Sequence, residues 1–80
     1  MKNPPARQAT ARGRSPRSLF RYVVNRPRHA GTEINTLREA KDFARNVSLE
    51  RPYLFELWRI EEDGSEFLLY TAWEGRLTRV

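Results

Sequence analysis

Residues 53 to 73, YLFELWRIEEDGSEFLLYTAW, place two runs of strand-forming residues on either side of a short acidic segment. Within that segment, Asp63 and Gly64 are residue types that supply the positive backbone angles required by tight hairpin turns. The stretch therefore predicts a β-hairpin. Because neither run alternates cleanly between apolar and polar residues, both faces of the hairpin are expected to be apolar, and other parts of the molecule must cover them.

Two registers are compatible with this hairpin. A two-residue turn at Asp63 and Gly64 sets Glu61 opposite Glu66, which is unfavourable because like charges face each other. It divides the apolar residues between one face with Leu54, Trp58, Ile60, Phe67, Leu69 and Trp73 and another with Tyr53, Phe55, Leu57, Leu68, Tyr70 and Ala72. The alternative is a three-residue loop that begins at Glu62. It places on one face Tyr53, Phe55, Leu57, Phe67, Leu69 and Trp73.

Upstream of the hairpin, the sequence predicts a helix that begins at Thr36. The segment TLRE places a hydroxyl at the cap and Glu39 three residues later, a pattern that satisfies free backbone donors. The helix is expected to end near Ser48 or Leu49, because Pro52 disfavours helical geometry in the residue before it. Apolar residues recur at steps of three and four and form one stripe. They are Leu37, Ala40, Phe43, Ala44 and Val47.

The remaining elements complete a small α+β domain predicted over residues 18–80. A first strand is predicted from Leu19 to Val24, a run rich in β-branched and aromatic residues, and residues 25 to 35 have the composition of a loop. After a second turn, residues 77 to 80 are expected to add a short edge strand. The predicted order is strand, helix, strand, strand and a possible short fourth strand, with one helix packed on an antiparallel sheet.

Residues 1–17, MKNPPARQATARGRSPR, are predicted to form a disordered arm, because they contain too little apolar surface to offset the cost of ordering. The arm has five cations and no acid, a charge of +5, whereas the other ten cations (15 − 5) balance the ten acids of residues 18–80. Such blocks are typical of tails that bind polyanions. The arm is therefore predicted to bind nucleic acid. The alternative is that it is an extension that only increases solubility. The cations are Lys2, Arg7, Arg12, Arg14 and Arg17.

Several hairpin aromatics are expected to remain exposed, since one short helix covers about one face of a sheet. Aromatic side chains on an open sheet beside arginines can stack unpaired bases. The candidate residues for stacking, or for an interface, are Tyr53, Phe55, Trp58, Tyr70 and Trp73. Arg26 and Arg28, next to His29, and Arg59 in the hairpin are predicted to extend the nucleic-acid surface beyond the arm.

The exposed face is open to two further interpretations. A second copy of the chain would cover it in a homodimer. Dimerisation would also stabilise a folded part of only about 60 residues, which has a small core and no disulfides. Alternatively, the carboxy-terminal segment and residues 25 to 35 fold back over the face.

The sequence offers little for catalysis or for binding a cofactor. His29 is the only imidazole, cysteine is absent, and the four glycines are scattered, so no metal-ligand set and no phosphate-binding loop is found. We expect no enzyme activity, no cofactor and no metal. No run reaches the roughly 18 apolar residues of a membrane span. A soluble, cytoplasmic protein that does not engage a membrane is therefore expected.

The leading hypothesis is a small non-enzymatic nucleic-acid-binding protein that uses a cationic arm and an aromatic sheet face. The alternative is a protein-interaction module, namely a homodimer, an adaptor or an inhibitor, with an incidental tail.

Overall fold

The structure is a computed structural model that describes residues 20–80. One helix packs on a five-stranded antiparallel sheet, which confirms the predicted α+β class. The strands are β1 (Arg21–Asn25), β2 (Thr32–Ile34), β3 (Phe55–Ile60), β4 (Glu66–Trp73) and β5 (Arg76–Arg79), and the helix is α1 (Leu37–Glu50). The strand order in the sheet is β2-β1-β3-β4-β5. The predicted arm, residues 1–17, lies outside the described residues.

Helix α1 begins and ends close to the predicted positions. Its N-cap is Thr36, whose Oγ1 accepts a hydrogen bond from the backbone N–H of Glu39 at 3.2 Å. At the other end, Arg51 has extended backbone angles, as expected for a residue before proline. Ala40 and Ala44 are 0% exposed, because their small side chains let the helix approach the sheet closely. Phe43 is 37% exposed and therefore lies at the margin of the helix–sheet contact.

The core lies between α1 and the face of the sheet that contacts it, which we call the inner face. Leu57 is the largest apolar side chain with almost no exposure, at 1%. Tyr22 and Val24 on β1 flank it, since strand residues two apart point to the same side. The buried cluster consists of Tyr22, Val24, Ala40, Ala44, Phe55, Leu57 and Ala72. The opposite side of the sheet, the outer face, is not covered by the helix.

The prediction of a loop at residues 25 to 35 is wrong in part, because Thr32–Ile34 form β2 and pair with β1. The two strands are joined through a turn in which the N–H of His29 donates to the carbonyl of Arg26 at 3.0 Å. Arg28 has a φ of 69° in this turn, a position where glycine is common. Gly31 then returns the chain so close to β1 that a Cβ would lie 2.5 Å from the carbonyl oxygen of Val24.

The β3–β4 hairpin has the three-residue loop at its tip. The N–H of Glu61 donates to the carbonyl of Ser65 at 2.8 Å, so that three residues separate these two positions. Of the two residues expected to have positive φ, only Gly64 does, at 92°. The Asp63 carboxylate instead accepts the N–H of Ser65 at 2.9 Å. This hydrogen bond holds the pKa of Asp63 below its ordinary value.

A β-bulge changes the register of this hairpin halfway along. Trp58 faces Leu68, whereas the preceding Leu57 faces Tyr70, so Leu69 is the additional residue on β4. Near the tip the pairing is that of the three-residue loop, and beyond the bulge it is that of the two-residue turn. Each predicted register is therefore correct for one half of the hairpin. The shift turns Tyr70, and with it Ala72, toward the inner face, where both pack with the core.

The second predicted turn joins β4 to β5 and carries positive φ at both central residues, 53° for Glu74 and 82° for Gly75. Trp73 faces Arg76 across it, so this is the two-residue type I′ geometry. The turn is also tied to the helix, because the N–H of Gly75 donates to the buried Oγ of Ser48 at 3.0 Å. Strand β5 confirms the predicted short edge strand, one residue earlier than expected.

Replacing Glu74 by asparagine is expected to stabilise the folded chain by about 1 kcal/mol, because asparagine tolerates left-handed angles that cost most other residues about 1–2 kcal/mol. The measurement is the urea midpoint of the full chain. Glu74→Ala is the matched control, since it removes the same carboxylate but keeps the backbone cost. If E74N were no more stable than E74A, the turn assignment would be wrong.

Candidate nucleic-acid interface

A cleft with a volume of about 330 Å³ lies between the β1–β2 turn and the C-terminal half of α1. We call it the basic cleft. Arg26 and His29 line it from the turn, and Arg51 lines it from the residue after the helix. No aspartate or glutamate is among the described residues that line it. Within residues 20–80, neither Arg26 nor Arg51 forms a salt bridge, so both positive charges remain available to a ligand.

Arg26 is held in place by an aromatic ring. Its guanidinium carbon lies 3.7 Å from the ring centroid of Tyr53, which is 39% exposed. The chain brings the two together because Tyr53 follows Pro52, where the helix has ended and the chain turns toward β3. A guanidinium stacked on a ring keeps its N–H donors in the plane, directed away from the ring. Arg26 is thus preoriented to donate to an anion at the cleft.

Phe43 brings an exposed aromatic ring to the same cleft. It lies on α1 among the residues that line the cleft and is 37% exposed. Phe55 also lines the cleft, but at 6% exposure it belongs to the floor and to the core. The arrangement therefore combines two unpaired arginines with an accessible ring, which is the chemistry that binds a phosphate and stacks a base.

The structure does not bring the five predicted stacking residues together. Tyr53 is at the cleft, whereas Phe55 is buried and has no free ring face for a base. Tyr70 lies on the inner face with the Lys41 ammonium 5.1 Å from its ring centroid. Trp58 and Trp73 belong to the outer face, where Trp58 is half-buried and Trp73 is 49% exposed. A single platform on one sheet face is therefore not what the fold presents.

The predicted arginines are separated as well. Arg26 lines the cleft, but Arg28 lines a groove on the outer face. Arg59 lies near the hairpin tip, 3.0 Å from the Glu61 carboxylate and between two phenyl rings. The five predicted cations of the arm lie outside the described residues. They are Lys2, Arg7, Arg12, Arg14 and Arg17.

Two residues of the cleft, Arg51 and Phe43, are missing from the sequence-based prediction. Phe43 belongs to the predicted apolar stripe, and that pattern alone places it in the core. Arg51 reaches the cleft only because β1 and β2 form a hairpin beside the end of α1. The missed strand β2 therefore explains the missed site.

The described part of the chain shows no grouping of three or more histidine, cysteine, aspartate or glutamate side chains able to hold a metal ion. Among residues 20–80, no helix is long and apolar enough to cross a membrane. Comparison with protein-family models, with curated proteins and with solved structures gave no match to this chain.

Proposed function

We propose that this chain is a cytoplasmic, non-enzymatic protein that binds single-stranded nucleic acid. In this proposal, the cationic arm attracts the phosphate backbone and the basic cleft takes one base with its phosphate. The observation that carries the proposal is the acid-free lining of the cleft, with Arg26 and Arg51 unpaired beside the exposed ring of Phe43.

A single nucleic-acid strand suits the basic cleft better than a duplex does. The volume of the cleft, about 330 Å³, is at the lower end of the range of about 300–1,000 Å³ that is usual for small-ligand pockets. That space accommodates one nucleotide unit and excludes a double helix. Stacking on Phe43 also requires a base with a free face, which duplex bases lack. We therefore expect single strands to bind more tightly than duplexes of the same length.

The described structure begins at Phe20, at the end of the sheet opposite the cleft. Arg21, the first residue of β1, faces Ile60 next to the β3–β4 loop, whereas the cleft lies beyond the other end of β1. Nineteen residues precede Phe20 and span at most about 65 Å when extended, several times the length of this strand. One bound nucleic-acid strand can therefore contact both the arm and the basic cleft.

Replacing Arg51 or Arg26 by glutamine is expected to weaken binding of a single-stranded oligonucleotide by about fivefold to tenfold at low salt, as for one charge-assisted phosphate contact of about 1–1.4 kcal/mol. Each change should also reduce the slope of log K against log salt by about 0.7. Fluorescence anisotropy of a labelled oligonucleotide measures both quantities. Arg38→Gln is the matched control, because it removes an exposed cation from the first turn of α1, away from the cleft. Equal losses for R38Q and R51Q would refute a cleft-specific contact.

Phe43→Leu tests the stacking contact separately from charge. Leucine keeps an apolar side chain at this margin of the core but removes the ring, so single-strand affinity should fall by about fivefold, the lower end of measured base-stacking effects. The salt slope should stay unchanged, because no cation is lost. A variant with normal affinity would show that the base does not stack on Phe43.

A further inference from the structure

The outer face of the sheet has an apolar centre. Val23, Trp58 and Leu68 lie side by side on three neighbouring strands and are half-buried. The indole Nε1 of Trp58 donates to the Glu56 carboxylate at 3.2 Å, so the indole N–H is already satisfied and the ring is free for apolar contacts. Helix α1 packs on the inner face, and no other helix occurs among residues 20–80 to cover this centre.

The apolar centre lies in a groove whose lining includes a cation, Arg28, near one end and an acid, Glu66, at the other. The groove has a volume of about 330 Å³, and Val23, Trp58 and Ile60 are among its lining residues. Arg28 lines it from the β1–β2 turn, whereas Glu66 lines it at the far end, opposite Ile60 on β3. A third charged residue, Glu56, lines the groove opposite Asn25, and its carboxylate accepts the indole N–H of Trp58. Within the described part of the chain, neither Arg28 nor Glu66 forms a salt bridge. Both charges are therefore available to a partner.

We propose that two copies of this chain pack through their outer faces, with Arg28 of each copy against Glu66 of the other. A two-fold axis that lies in the interface, perpendicular to the line from Arg28 to Glu66, exchanges these two positions. It brings Arg28 of each copy to Glu66 of the other. A two-fold axis parallel to that line would instead place Arg28 against Arg28 and Glu66 against Glu66, which is repulsive. The Arg28–Glu66 pair thus selects one orientation.

The occupant is a second copy because the surface is complementary to itself. A two-fold interface uses the same patch on both subunits, and this groove carries both members of the charged pair that it needs. An apolar centre with polar residues around it is the usual anatomy of an interface. The chain also has no cysteine for a disulfide, and a core of this size commonly gains stability from a second subunit.

Charge reversal provides the test, with sedimentation velocity of the full chain at high micromolar concentration and low salt as the measurement. We expect wild type to be a dimer and both Arg28→Glu and Glu66→Arg to be monomers, since each homodimer would then contain two like-charge pairs. An equimolar mixture of the two variants should form a heterodimer, because both of its pairs are again opposite in charge. The double variant R28E/E66R should dimerise on its own for the same reason.

Two control variants carry the same charge changes at other exposed positions. Arg38→Glu lies on α1 and Glu62→Arg at the hairpin tip, so both should remain dimeric. Far-ultraviolet circular dichroism verifies folding, which these exposed sites should not disturb. A monomeric wild type would overturn the proposal and leave the face to another partner. Dimeric single variants, monomeric controls or a mixture that stays monomeric would overturn the Arg28–Glu66 pairing.

The dimer is independent of the proposed nucleic-acid function. Arg28 and Glu66 do not line the basic cleft, and molecular mass is measured without nucleic acid. Failure of oligonucleotide binding would therefore leave the dimer standing, and a monomer would leave the cleft and the arm unaffected.

Discussion

Deletion of residues 1–17 is expected to remove most of the salt dependence of single-strand binding. If all five cations of the arm contact phosphates, they contribute a slope of about −0.7 × 5, or −3.5, to log K against log salt. This contribution alone lowers the affinity of the full chain roughly a hundredfold between 50 and 200 mM salt, because each neutralised phosphate releases counterions. A chain that begins at Ser18 should show a slope that is shallower by about 3.5.

Two control chains separate charge from length in this experiment. A full chain in which the five cations are replaced by glutamine should behave like the deletion. A chain with the residues of the arm in scrambled order should bind like wild type, since counterion release depends on charge and not on sequence. A deletion that left the slope unchanged would show that the arm does not bind the backbone.

Leu57→Ala is expected to destabilise the fold by about 3 kcal/mol, within the range of about 2–5 kcal/mol measured for buried leucines. Leu57 is 1% exposed and lies at the centre of the inner face, where neighbouring side chains cannot fill the space it leaves. For a domain of about 60–100 residues, each kcal/mol lowers the melting temperature by about 4–8 °C. The melting temperature should therefore fall by at least about 12 °C.

Leu49→Ala is the matched control for this loss. It makes the same change at a leucine that is 71% exposed, and a surface substitution of this kind usually alters stability by no more than about 0.5 kcal/mol. Thermal unfolding followed by circular dichroism compares the two variants. Equal losses would contradict the placement of Leu57 in the core and, with it, the register of β3 against β1.

Local signals in the sequence were sufficient for the helix and for the β3–β4 hairpin. The capping pattern at Thr36 and the residue pair Asp63 and Gly64 act within a few residues, so a single sequence carries them. Such local signals do not predict the bulge at Leu69. It resolves a conflict between the preferred loop at the tip and the pairing that packs Tyr70 and Ala72 with the core, and this conflict exists only in the folded hairpin.

The basic cleft was unpredictable for a related reason. Arg26 and Arg51 are far apart in sequence, and they meet because β2 forms a hairpin with β1 beside the end of α1. Strand β2 has three residues and follows a turn with arginine where glycine is usual, so its local signal is weak. The expectation that aromatic rings stay exposed holds for Tyr53, Phe67 and Trp73, which are 39%, 44% and 49% exposed. They lie at separate places and not on one platform.

Nuclear magnetic resonance offers the most direct test of the proposed function. The full, ¹⁵N-labelled chain is titrated at low salt with a short single-stranded oligonucleotide, and amide shifts are followed residue by residue. We expect the largest shifts within residues 20–80 to occur around the basic cleft, at Arg26, His29, Phe43 and Arg51. Saturation without shifts at these positions, or no shifts at all at low salt, would contradict the proposed function.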